Sequence, residues 1–141
     1  MQRQDYLLRL IQQMARTLAR IREMLVDGRS DEAGAELANI AQQAGIDLRF
    51  VIALEEPSLR PMLVTGGEID RPKCALFAEL VYLEWRRALA NGRDDYAERC
   101  AKRGHFLFQL AYQGTTPDEG TRAKMQAMSS NDPTIAPALA G

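Results

Sequence analysis

Residues 72–91, PKCALFAELVYLEWRRALAN, constrain this chain more than any other stretch, because their apolar side chains run almost all the way round a helix. At about 3.6 residues per turn, Cys74, Leu76, Phe77, Leu80, Val81, Leu83, Trp85, Ala88 and Leu89 fall on most azimuths, and only Glu79, Glu84, Arg86 and Arg87 interrupt them. A helix of this kind has to be covered on several sides. At 141 residues the chain is long enough to supply that cover within one domain, where roughly two-thirds of the unfolded surface is buried without disulfides or metals.

The first cover helix is upstream. Leu7, Ile11, Met14, Leu18, Ile21 and Leu25 alternate in steps of four and three, a heptad seam on a helix that Asp5 is placed to cap. Leu8, Leu10, Ala15, Ala19 and Met24 widen the apolar arc beyond what one partner helix covers, while Arg9, Gln12, Gln13, Arg16, Arg20 and Glu23 mark the wet side. The surplus predicts self-association as a homodimer through apolar surface that one domain leaves over. Phe106 and Leu110, which lie off the main stripe of a later helix, belong to the same surplus.

The remaining helices follow from caps and breakers. Asp27-Gly28 ends the first helix, and Ser30 or Asp31 is placed to cap a second that carries Ala33, Leu37, Ile40, Ala41 and Ala44 as far as Gly45. A short third helix is predicted from an Asp47 cap through Phe50, Val51 and Leu54, stapled by Ile46 and closed by Pro57. Residues 55–70, with Pro57, Pro61, Gly66 and Gly67, read as a connector containing one helical turn around 59–64. Asp70 caps the central helix and Asn91-Gly92 ends it. The fifth main helix, residues 94–112, buries Ala97, Cys100, Ala101, Gly104, Leu107, Phe108 and Ala111. After Gly114, Thr116-Pro117 is placed to cap a weak helix reaching Met128, and SSNDPTIAPALAG has the composition of a tail. The organisation expected is one helical domain over residues 1–114, then a weak helix and flexible segment over 115–141.

One internal repeat stands out. Arg22, Leu25, Gly28, Arg29, Asp31 and Ala33 recur as Arg86, Leu89, Gly92, Arg93, Asp95 and Ala97 at a constant offset of 64. Each copy reads as a helix end, a glycine turn and an acidic helix start, with an alanine where two hairpin helices come close. The elements GRSDEA and GRDDYA resemble the turn and second-helix start of tetratricopeptide repeats. With DYLLRLIQQMARTLARI and the GGEID that leads into the apolar helix, the chain resembles a bacterial family with a tetratricopeptide-like (TPR-like) fold over about residues 5–112. The resemblance implies an all-α fold, about five main helices in antiparallel hairpins forming a helical-repeat bundle. It brings no catalytic or binding residues with it.

Sites of chemistry are sparse. The single histidine, His105, lies five residues after Cys100, about 140° round a helix from it, so neither a Cys-His pair nor a His-based metal site is expected. Glu79 and Glu84 fall on different faces, and there is no phosphate-binding loop, dinucleotide fingerprint or HExxH motif, so no cofactor is expected. Cys74 and Cys100 sit in apolar helical patterns, which reads as reduced core thiols of a cytoplasmic protein. The N-terminal MQRQDYLLRL has no export pattern, and the apolar run from Cys74 to Leu83 is broken by Glu79 and too short to span a bilayer. A net charge of −1 gives no overall attraction to polyanions. Arg86, Arg87, Arg93, Arg99, Lys102 and Arg103 are interleaved with Glu84, Asp94, Asp95 and Glu98, so nucleic acid is not an expected partner. What remains is a non-catalytic protein-interaction or scaffold module whose candidate surface comprises Phe106, Leu110, Tyr82, Trp85 and Tyr96. The alternative is a regulatory or small-ligand-binding bundle with a pocket beside Trp85, Tyr82 and Tyr96.

Overall fold

Two helical hairpins with the same turn organise the molecule. The structure is a computed structural model describing residues 2–136; at the start of the first helix, side chains are described for Arg9, Gln12 and from Ala15 onward. Helix α1 (Gln2–Val26) turns into α2 (Ser30–Gln43), and the long helix α5 (Arg71–Ala90) turns into α6 (Asp94–Ala111). In the first turn Gly28 has φ +75°, its N–H donates to Leu25 O at 3.3 Å, and Arg29 N–H donates to Met24 O at 2.8 Å. In the second Gly92 has φ +69°, its N–H donates to Leu89 O at 3.1 Å, and Arg93 N–H donates to Ala88 O at 3.0 Å. Ala33 N–H to Arg29 O and Ala97 N–H to Arg93 O then open the following helices. These are Schellman-type ends, in which a residue with positive φ lets the chain reverse over the last turn. The repeat seen in the sequence is therefore a repeat of backbone geometry, bond for bond.

Ala33 and Ala97 are both 0% exposed, as their place in the turn requires. The second helices of the hairpins lack the side-chain caps expected of them. Arg29 and Arg93 occupy the N-cap positions without a side-chain cap bond, and Ser30 Oγ is buried with no hydrogen-bond partner among the described residues. Acidic first turns, Asp31 and Glu32 in α2 and Asp94 and Asp95 in α6, supply favourable charge at the helix dipole instead. Asp5 does not precede α1 either, because that helix already begins at Gln2. In the seam of α1, Leu18 is partly buried, Ile21 0% exposed and Leu25 9% exposed; Leu7, Ile11 and Met14 fall outside the described side chains, as do Leu8 and Leu10.

Between the hairpins the chain makes four small elements. Helix α3 (Leu48–Ala53) is capped by Asp47, whose Oδ1 accepts from Arg49 N–H at 3.0 Å and Phe50 N–H at 3.4 Å. It ends where Leu54 turns extended, φ −70° and ψ 141°. Pro57, expected to close it, instead sits in the first turn of α4 (Glu56–Leu59), where a missing N–H is harmless. A 3-10 turn (Arg60–Leu63) follows, then a ladder of β1 (Val64–Thr65) and β2 (Glu68–Ile69), antiparallel with Val64 opposite Ile69. Gly66 and Gly67, at φ +63° and +84°, form the two-residue turn, a geometry that needs positive φ at both positions. Asp70, 3% exposed, fastens this ladder to α5: its Oδ2 accepts from Thr65 Oγ1 at 3.0 Å and its Oδ1 from Lys73 N–H at 3.2 Å.

Helix α5 is buried on nearly every azimuth: Phe77, Val81 and Trp85 lie on one face, Ala78 and Tyr82 beside it, and Leu76 and Leu83 on the other flank. Its cover comes from α1, α2, α3 and α6. A last helix, α7 (Glu119–Ser130), packs on α6; Asp118 Oδ1 caps it at 2.7 Å from Thr121 N–H, one residue beyond the Thr116-Pro117 start expected. Ala127 and Met128 of α7 are buried, and Gly104 on α6 makes the room, since a Cβ there would lie 2.0 Å from Met128 Cε. Two polar bonds tie α7 to α5: Trp85 Nε1 donates to Asn131 Oδ1 at 2.8 Å, and Lys124 Nζ meets Glu79 Oε1 at 2.8 Å.

The turn geometry predicts opposite outcomes for two alanine substitutions. Gly92→Ala meets no atom within 4 Å, so its cost is that of a left-handed backbone alone, about 1–2 kcal/mol. Gly120→Ala, inside α7 and 3.6 Å from Asp118 Oδ1, gains stability by up to about 1 kcal/mol. Urea titrations with unchanged slope check both.

Candidate functional site

The most polar place in the core is on the most apolar helix. Glu84 of α5 is 5% exposed. A buried carboxylate has to find charge and donors close by. Glu84 finds both: Arg87, one turn on, donates Nε to Oε1 at 2.8 Å and Nη2 to Oε2 at 3.5 Å, and Tyr96 of α6 donates its hydroxyl to Oε2 at 2.8 Å. The spacing of three residues puts carboxylate and guanidinium on one face of α5, and the tight α5–α6 turn brings Tyr96 over them.

Helix α2 supplies the opposite surface. A Cβ on Gly34 would lie 2.9 Å from Arg87 Cζ, so a larger residue there would push the guanidinium away from the α2 backbone. Its Nη1 makes no hydrogen bond among the described residues, which leaves both of its N–H donors uncommitted beside the cleft. The bond to Glu84 stabilises the protonated guanidinium of Arg87, raising its pKa above the ordinary arginine value. Burial, followed by the neighbouring Glu84, holds the Tyr96 hydroxyl well above its usual range, so it remains a neutral donor. The same two causes push the Cys100 thiol up to about 12. Burial and Asp70 push Cys74 up to about 11. Both cysteines are free and buried, and as protonated thiols they are poor nucleophiles.

Arg87 and Glu84 form the floor of an open cleft of about 360 Å³ between α2 and α5. Leu37 and Ala38 of α2 make one wall, Ile46 and Leu48 another, and the α3 cap residue Asp47 lies beside Arg49 at the rim. The cleft therefore joins an apolar lining to a charged floor, at the place where the first hairpin meets the second.

The five residues singled out from the sequence do not share one surface. Trp85 is 0% and Tyr82 2% exposed, packed against each other inside the fold with ring centroids 5.7 Å apart. Neither presents surface to a partner. Tyr96 is half-buried, belongs to the Glu84 cluster, and has Arg93 Cζ 4.5 Å above its ring. Phe106 and Leu110 do come together, lining a shallow groove of about 460 Å³ with Met125 of α7. Leu110 is nevertheless buried, and Phe106 is half-buried, with Arg60 Cζ 5.9 Å and Arg103 Cζ 5.6 Å from its ring centroid. In the sequence Glu84 and Arg87 stand as polar breaks in an apolar helix. A Glu and an Arg three apart inside a helix that is otherwise buried all round was the available signal. Gly34 had none, because its meaning depends on Arg87 arriving from another helix.

Among the described residues no group of three His, Cys, Asp or Glu side chains is placed to hold a metal, and no helix is long and apolar enough to cross a membrane. Comparison of the chain with protein-family models, curated proteins and solved structures returned no match.

The pairing at the cleft floor predicts non-additive substitutions. Arg87→Met strands Glu84 with Tyr96 as its remaining partner and destabilises by about 3 kcal/mol, the low end for a broken buried pair because the cleft admits water. Glu84→Leu combined with Arg87→Met loses less than Arg87→Met alone, since no charge is left buried. Guanidinium unfolding of the single and double variants measures the difference.

Proposed function

We propose that the chain is a non-catalytic, TPR-like interaction module that takes a segment of a protein partner into the cleft between its hairpins. The observation that carries the reading is the uncommitted Nη1 of Arg87, held on the cleft floor by Glu84 and Gly34 beneath an apolar wall. An apolar side chain against Leu37 and Ala38, with a carbonyl or carboxylate reaching Arg87, satisfies both halves of such a site. The two equivalent turns support a repeat architecture, in which stacked hairpins form grooves between neighbouring units. The compartment in this reading is the cytoplasm, where Cys74 and Cys100 stay reduced.

Ala38→Trp fills the cleft and Gln109→Trp adds the same bulk at an exposed position on α6. Affinity capture from the source cell with the three proteins is expected to yield partners that Ala38→Trp loses and Gln109→Trp keeps. Identical capture by all three rules the cleft out.

A second reading, self-association as a homodimer, has its own observation. Helix α1 has 25 residues and its hairpin partner α2 has 14, so at about 1.5 Å per residue the first turns of α1 run on beyond the end of α2. The heptad sequence Leu7, Ile11, Met14 continues through that length. Sedimentation equilibrium at micromolar concentration is expected to show a dimer that Leu7→Glu with Ile11→Glu converts to a monomer. A monomeric parent protein excludes this reading.

A further inference from the structure

A separate shallow cleft, of about 490 Å³, lies between α6 and the chain leaving α3, and Arg103 is its buried charged lining residue. The residue is 8% exposed. Its Nη2 donates to the Leu54 carbonyl oxygen, the carbonyl of the residue that ends α3. Its Nε is buried without an acceptor, and no carboxylate among the described residues forms an ion pair with it. Its Cζ lies over the Phe106 ring, 5.6 Å from the centroid. Buried arginines are ordinarily paired with an anion, because one carbonyl does not balance a full charge removed from water. Burial accordingly pulls this pKa below the ordinary arginine value, opposed by the charge of Glu56.

The neighbours on α6 point to what would restore the balance. Arg99, one turn earlier on the same face, and Lys102 line the same cleft. Arg99 has no ion pair among the described residues, and Lys102 has only a 3.5 Å pair with Glu98 between two exposed side chains. Across the cleft Ile52, Leu54 and Pro57 are apolar, while Glu55 and Glu56 stand exposed at the mouth. An extended polyanion would meet those carboxylates and Glu98 along with the three cations. A small anion that enters past them meets Arg103 and Arg99.

We propose that this cleft binds a small ligand through an oxyanion group, a phosphate or a carboxylate, which pairs with the buried Arg103 and the exposed Arg99. With Nε buried and Nη2 donating to the Leu54 carbonyl, Nη1 is the Arg103 donor left for the anion, while Arg99 offers the planar fork that matches the oxygens of either group. Apolar contact with Ile52 and Pro57 then holds whatever carries the anion. The site does not depend on the cleft between the hairpins.

The test compares sodium phosphate and sodium acetate with sodium chloride at matched ionic strength, read by thermal melting and by amide chemical shifts. At least one of the two oxyanions is expected to raise the melting temperature saturably beyond chloride and to move the amides of Leu54, Arg99 and Arg103. Arg99→Gln, an exposed substitution that leaves the core alone, weakens that binding about tenfold or more, as the loss of a charged hydrogen bond does. Glu56→Gln tightens it by removing a competing charge. Arg103→Gln abolishes it if the variant folds, and Arg99→Gln decides the matter if it does not. The proposal is overturned by the absence of any saturable effect, or by an effect that Arg99→Gln leaves unchanged. It is equally overturned if Glu56→Gln destabilises the protein in chloride without tightening binding, since Glu56 would then be the counter-ion of a purely structural arginine.

Discussion

Burial of α5 on every side is the constraint from which the rest of the structure follows. A helix with one apolar stripe is satisfied by one neighbour, but Phe77, Tyr82 and Leu83 project in different directions and each must leave water. At about 1.5–3 kcal/mol for each large side chain fully buried, leaving any one direction open would cost a substantial part of a small domain's net stability. The α1–α2 hairpin, α3 and α6 are arranged around that axis, and α7, packed on α6, also bonds to Trp85 and Glu79 of α5. Even the two-residue β ladder serves it, since Asp70 bonds both the ladder and the first turn of α5.

Enclosing one helix completely also encloses its polar residues, and each is accommodated differently. Glu84 has a cation and a phenol, so its carboxylate is neutralised and its oxygens are occupied. Trp85 has Asn131, a residue whose left-handed backbone, φ 51°, ends α7 and turns the side-chain oxygen toward the indole. Arg103, on the neighbouring helix, has one carbonyl and an aromatic ring and no ion pair among the described residues. Within one small core, two of these groups are internally complete and one is not, and the incomplete one opens on a cleft.

Close approach is set by missing side chains. Ala33 and Ala97 let the two hairpins close immediately after their turns, Gly34 admits the Arg87 guanidinium to α2, and Gly104 admits Met128. The first two are local: the alanine and its neighbour lie in the same hairpin, so the repeat in the sequence exposes them. The other two are long-range. Their partners are Arg87 for Gly34 and Met128 for Gly104, on helices far away in the chain, so nothing near them in the sequence marks them.

The sequence by itself determined the helices and where they reverse. Apolar periodicity, the capping residues Asp47 and Asp70, and the positive-φ glycines at positions 28, 45 and 92 act within a few residues, where backbone sterics and hydrogen bonds decide the outcome. Strands of two residues, Val64–Thr65 and Glu68–Ile69, are too short to show a period, and only the Gly66-Gly67 pair hinted at them. Tertiary structure alone decided which polar residues go inside and what meets them. Glu84 and Arg87 carry the same chemistry as the exposed pair Glu32 and Arg29, at the same spacing. One pair became the floor of a cleft and the other stayed in water because burial depends on which helices arrive from elsewhere in the chain. Trp85, Tyr82 and Leu110 went into the core for the same reason: a large apolar side chain is surface or interior according to its neighbours, and those are specified only once the whole chain has folded.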